Sequence, residues 1–255
     1  MRVFLTVLAG ASLLLGCGAA TVAPPAGMET LAQATDGDAL TRRFFPGRKG
    51  TFYVLSSVAD GPVVGLVGDP GDPGSTSLVG AGAERSWSES LPLEGSHRRV
   101  TSVRPLQASI GDIRKDGTAD LFFIIEVESV LVEGKGRQTR QAAYLYELGK
   151  RATLVWYQSL SVSGKDAASC TSGELKYGAE VQFATDDEGR LGGITVMFDQ
   201  KRRICRGGSG CEEGKEVCDV GRDSGTTKLQ WDEELRTYRQ EAATEVVMRI
   251  PDVTL

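Results

Sequence analysis

The run Leu121-Phe122-Phe123-Ile124-Ile125 is apolar at every position. Successive side chains of a strand point to opposite faces. Leu121, Phe123, Ile125 and Val127 therefore point one way, and Phe122, Ile124, Glu126 and Glu128 the other. A strand that is apolar on both sides belongs in the interior of a sheet. Its second half, to Val132, emerges into solvent. An acidic loop, Gly111 to Asp120, feeds this strand. It places Asp112, Asp116 and Asp120 four residues apart, with Gly117 at the turn.

The rest of the chain repeats the theme of strand and turn. Strands are expected at 51–55, 63–67, 100–105, 142–148, 154–162 and 228–231, each bounded by turn-forming residues. Between 68 and 95, Gly, Pro, Ser and Asp make either an exposed loop or two tight turns around a short strand at 77–79. Residues 28–34 are compatible with a short helical turn. Residues 237–250 are ambiguous: 234–243 suit a helix and 246–250 a strand. No long stretch sustains a 3.6-residue period, and the chain holds 32 glycines. The pattern predicts an all-β fold, an antiparallel meander forming a sandwich, an open barrel or propeller-like sheets. No repeat of about 40 residues, as a closed propeller requires, is evident.

Arg2 followed by the apolar run Val3 to Leu15 has the length and polarity of an export signal. It ends Leu14-Leu15-Gly16-Cys17. This resembles the lipobox of bacterial lipoproteins, which implies that residues 1–16 are removed and that Cys17 is fatty-acylated, with chains such as palmitate. The alternative is an ordinary secretory signal cut after Ala19 or Ala20. Acyl chains would hold the protein at a membrane surface. By the same resemblance, Gly18 in place of an aspartate implies the outer membrane. Residues 17–40, rich in Ala, Thr, Pro and Gly, read as a flexible tether, and 41–255 as a single β-rich domain. Without Arg2 the chain has 28 Lys and Arg against 34 Asp and Glu, a net charge of −6. No basic block stands out, so nucleic acid is not an expected partner. The expected partners are the membrane, through the anchor, and an envelope protein or glycan.

Apart from Cys17, four cysteines remain: Cys170, Cys205, Cys211 and Cys218. In an exported protein they predict two disulfides. Residues 174–185 and 190–204 alternate around the turn Asp186-Asp187-Glu188-Gly189, which predicts a hairpin. Positions 170 and 205 are equidistant from that turn, so Cys170–Cys205 is the expected bond provided no bulge shifts the register. Cys211–Cys218 is the remainder. A metal site at Cys205, Cys211 and Cys218 is the rival, with spacings unlike the usual zinc sets and no histidine nearby.

The loop from Asp112 to Leu121 resembles the calcium loops of FG-GAP (integrin-alpha-type) repeats. The resemblance covers about eleven residues of one repeat. It implies calcium ligands from the carboxylates of Asp112, Asp116 and Asp120 and the carbonyl of Thr118. Calcium takes six to eight oxygens, and Gly117 lets a loop turn tightly around it. The sequence departs from the family at Arg114, where a liganding Asp or Asn is usual, and at Lys115. Arg114 can pair with Asp112 or Asp120 and do by salt bridge what the metal does elsewhere. Asp186-Asp187-Glu188-Gly189-Arg190 is a weaker echo that reads as a solvated hairpin tip. No cofactor is expected beyond calcium.

Enzymatic signals are sparse. His97 is the single histidine, no G-x-S-x-G elbow occurs, and no phosphate-binding or dinucleotide loop is present. Trp87, Trp156 and Trp231 with Tyr144, Tyr146 and Tyr157 could line a glycan or peptide groove, but Trp156 and the tyrosines fall on expected strands, which favours packing. The expected function is a non-catalytic cell-envelope lipoprotein, a binding or structural module. The alternatives are an envelope hydrolase using paired carboxylates such as Glu126, Glu128, Asp186 and Asp187, and an assembly or inhibitor protein offering a sheet edge.

Overall fold

A computed structural model describes residues 22–54, 63–69, 71–81, 86–93, 98–133, 135–168, 170–208, 211 and 214–240. Two antiparallel sheets carry nearly all of it. The smaller consists of β2 (Lys49–Val54), β3 (Val63–Asp69), β4 (Asp72–Ala81) and β5 (Ser86–Ser90), paired in chain order. The larger has nine strands. They are β1 (Glu29–Thr30), β6 (Arg98–Gly111), β7 (Ala119–Leu131), β8 (Lys135–Leu148), β9 (Ala152–Ala168), β10 (Thr171–Thr185), β11 (Leu191–Arg206), β12 (Val217–Asp232) and β13 (Thr237–Gln240). Their spatial order follows the chain except that β1 joins the outer side of β6. One short helix, α1 (Gly37–Phe44), begins at Asp36, whose side chain accepts the Ala39 N–H. This is the expected all-β meander. It takes the sandwich form, and neither sheet closes into a barrel.

The double-sided apolar strand dictates the layering. Leu121, Phe123, Ile125 and Val127 of β7 face the small sheet and pack with Tyr53, Leu66 and Leu78. Phe122 and Ile124 face the other way and are covered by the far end of the large sheet itself. That folding-back is possible because β9 and β10 pair only over 161–168 and 171–178. Beyond Gly178, β10 leaves β9. Its Phe183 reaches across to meet Phe122 and Trp156 edge-on, each at 5.7 Å between ring centres. Bulges in β9 opposite Gln141/Ala142 and Leu145/Tyr146 add the coiling such a fold-back needs. Tyr144, Tyr146 and Trp156 are buried in these two cores, so packing accounts for them.

Two expectations for the N-terminal region do not hold. Residues 28–34 form no helical turn. They carry β1, whose Glu29 and Thr30 lie opposite Ile110 and Ser109. The chain passes so close to β6 that a Cβ on Gly111 would stand 2.7 Å from the Gly27 carbonyl oxygen. Nor are residues 17–40 a tether throughout. Val22 and Leu31 are buried in opposite cores, and α1 starts at Gly37. Isolated apolar residues among Ala, Pro and Thr suffice to pin this segment where strands β6 and β7 receive them.

The four cysteines form two disulfides, as expected, but in another pairing: Cys170–Cys211 and Cys205–Cys218. The hairpin between β10 and β11 is present, with its tip at Asp186–Arg190. A register shift next to the turn, where Thr185 faces Leu191 but Ala184 faces Gly193, inserts an extra residue. The tip itself closes with Thr185 opposite Leu191, one residue off the symmetric placement about 186–189, and the two offsets together bring Ser172, not Cys170, opposite Cys205. Cys170 lies at Gly207, whose N–H bonds its carbonyl at 2.9 Å. Cys205 instead faces Cys218 directly across β11 and β12, with 4.0 Å between Cα atoms. A carboxylate oxygen of Glu216 lies within 4.8 Å of both these sulfurs, but sulfurs bonded to each other are not thiolate ligands.

Candidate functional site

Residues 112–118 link β6 to β7 and fold around their own carboxylates. Both oxygens of Asp112 accept backbone N–H groups, from Asp116 (3.2 Å) and Gly117 (3.0 Å). Asp116 accepts the N–H of Thr118 at 2.9 Å. Gly117 has φ +83°, the left-handed region its lack of a side chain permits, and Lys115 sits there too at +54°. The Lys115 amine bonds the carbonyl oxygen of Glu188 at the β10–β11 tip. The Ile113 carbonyl takes the Leu191 N–H at 2.8 Å. The loop is thus stitched to the neighbouring hairpin.

Arg114 turns inward and is 7% exposed. Its Nη2 lies 2.7 Å from Asp120 Oδ1, and its Nη1 lies 2.6 Å from Glu147 Oε2. Asp116 stands at 3.8 Å. The guanidinium also lies 4.6 Å from the ring centre of Trp231, a cation–π contact. Arg236 completes the cluster, 2.5 Å from Glu147 and 3.3 Å from Asp116. Two guanidinium groups thereby meet three carboxylates drawn from the loop, β7 and β8. Trp231 on β12 and the β12–β13 turn are held in the same contact. Burial pushes the fully covered Asp120 up to about 6, against the pull of Arg114 and the Ile113 N–H. For Glu147 burial also acts upward, but hydrogen bonds from Arg236 and Arg114 outweigh it and hold the group below the usual range.

These residues do not fit a calcium ion. Of the expected ligands, Asp112 is committed to two backbone donors and Asp120 to Arg114 and the Ile113 N–H. Asp116 serves the Thr118 N–H and Arg236, and a guanidinium stands among the carboxylates. A cation already placed there repels a second one. The pairing of Arg114 with Asp120 is one of the two that sequence suggested. Asp112 is not its partner. Glu147 and Trp231 come from distant strands and Arg236 from the β12–β13 turn, and no local signal marks them.

The other candidates separate. Glu126 is paired with Arg104 at 2.6 Å and Glu128 with Arg137 at 2.6 Å. Asp186 and Arg190 close the hairpin tip at 2.8 Å, which makes that stretch a turn. The space between the sheets beneath Pro105 is lined by apolar groups, including Leu66, Leu78, Ala108, Leu121 and Phe123, with Tyr53 at its side. Cys17 with the lipobox, and His97, lie outside the described residues. Among the described residues no helix is long and apolar enough to cross a membrane. No family model matches the chain, and no curated protein or solved structure is significantly similar to it.

Proposed function

We propose that the protein is a non-catalytic lipoprotein of the cell envelope, anchored to the outer membrane by acyl chains on Cys17, whose β-sheets present a binding or structural surface to an envelope partner. The lipobox Leu14-Leu15-Gly16-Cys17 carries this reading. Two disulfides support it, since such bonds persist in oxidising compartments outside the cytosol. So does the internal pairing of Asp120, Glu126, Glu128 and Asp186 with arginines, which leaves these carboxylates engaged in structure. The sheet-edge variant of this function has its own observation: among the described residues, β12 from Val217 to Lys228 has no strand on its outer side.

Val22 is packed in the core, five residues after Cys17 in sequence. Five residues span at most about 17 Å, so an anchor on Cys17 keeps Val22 within that reach of the surface that holds it. Mass spectrometry of the mature protein from its native membranes tests the reading. The expected N-terminal residue is Cys17 carrying diacylglycerol and fatty acyl groups, and Cys17→Ser moves the protein to the soluble fraction. An unmodified N-terminus at Ala20 or Thr21 would overturn it.

A further inference from the structure

The outward face of the β8–β12 ribbon gathers positive charge in a chain that is acidic overall. Lys176, Lys201 and Arg222 stand directly opposite one another across β10, β11 and β12. The next row on the same face places Arg137 opposite Lys165, Lys165 opposite Glu174, and Glu174 opposite Arg203. Cross-strand partners share a face and adjacent strands lie about 4.8 Å apart. These six cations therefore form one compact patch, and all six are exposed. Glu174 lies in their midst, with Asp199 and Glu128 at the margins.

Glu174 pairs with Lys165 and Lys176, each at 3.8 Å, and Glu128 with Arg137. Two carboxylates do not balance six cations, and like charges directly opposite each other in a sheet repel. Charge on an edge strand discourages sheet-to-sheet aggregation, which accounts for Arg222 on β12. It does not account for Lys201, which stands on an interior strand directly opposite both Lys176 and Arg222. The patch is also held rigid. The Cys205–Cys218 bond joins β11 and β12 on this same face, with Arg203 Nη2 3.4 Å from the Cys218 sulfur. A surface arranged before its partner arrives loses less entropy on binding.

We propose that this face docks on an anionic phospholipid surface. Tyr177 and Phe198 stack on the opposite side of the ribbon, so the patch lacks the rings that stack nucleic-acid bases. A broad array of ammonium and guanidinium groups suits a plane of phosphate headgroups. Charges are screened beyond about 8 Å at physiological salt, so a headgroup at the patch meets the local cations and not the net charge of −6. The biological setting rests on the lipoprotein reading, in which the anchor on Cys17 keeps the domain near a membrane.

The test uses the mature chain from residue 17 with Cys17→Ser, which carries no acyl group, so its outcome is independent of whether Cys17 is modified. Cosedimentation is measured with vesicles of phosphatidylglycerol mixed with phosphatidylcholine, and with phosphatidylcholine alone. Binding to the mixed vesicles alone, weakening as salt rises, is the expected result. The K176E/K201E/R222E variant should bind about a hundredfold more weakly or worse. Its melting temperature should fall by no more than a few degrees, because the ion pair that it breaks, Lys176–Glu174 at 3.8 Å, is solvent-exposed. R42E/K49E, which alters exposed cations elsewhere, should bind as the parent does. Equal binding to both vesicle types, undiminished binding by the triple variant, or retention on a soluble sulfated glycan without vesicle binding would overturn the proposal.

Discussion

Replacing Arg114 with leucine is expected to lower folding stability by about 3–5 kcal/mol, the usual cost of stranding one member of a buried ion pair. Asp120 is fully buried and takes its main hydrogen bonds from Arg114. Without the guanidinium it must either ionise unpaired or hold a proton. Glu147 and Trp231 lose a partner at the same time. The double variant R114L/D120N should recover a substantial part of the loss, because it removes the stranded charge along with its partner. Urea denaturation of the parent, both single variants and the double variant measures this. A loss below about 1 kcal/mol in R114L, the value of an exposed pair, would mean that the cluster does not hold the strand ends together.

The second large effect concerns the two sides of β7. Phe122→Ala and Phe123→Ala should each cost about 3–5 kcal/mol, the range for truncating a buried aromatic. The reason differs between them. Phe123 stacks on Tyr144 at 5.0 Å in the core shared with the small sheet. Phe122 meets Phe183 from the folded-back β10. A sheet covered on one side only would show the cost at Phe123 and little at Phe122. Equilibrium unfolding of the two variants therefore reads out whether the second layer is packed in solution.

That strand was legible in the sequence because residues of one polarity on both faces leave few places to put it. The hairpin at Asp186–Gly189 was legible for a similar reason, since turn residues flanked by alternation admit one local answer. The disulfide pairing was not. It depends on a tip closed one residue off the symmetric placement and on one extra residue beside it, and a glycine-containing stretch such as Leu191-Gly192-Gly193 does not announce a bulge. The order of residues 22–44 was hidden because its anchors, Val22 and Leu31, are single apolar side chains whose receiving surfaces are built by other strands. In the loop, Arg114 stood out against the calcium pattern, but Glu147 and Arg236 reach it only through the sheet topology. The basic face was least visible of all. Its residues are spread over five strands, and the net charge of the chain has the opposite sign.

The loop between β6 and β7 is, in this account, a clasp whose cation is its own arginine. Thermal unfolding of the mature protein with a chelator and with millimolar calcium tests that most directly. An ion that binds only the folded state raises the melting temperature with its concentration. The same melting temperature is expected in both conditions. A calcium-dependent rise that is abolished by Asp112→Ala would contradict it.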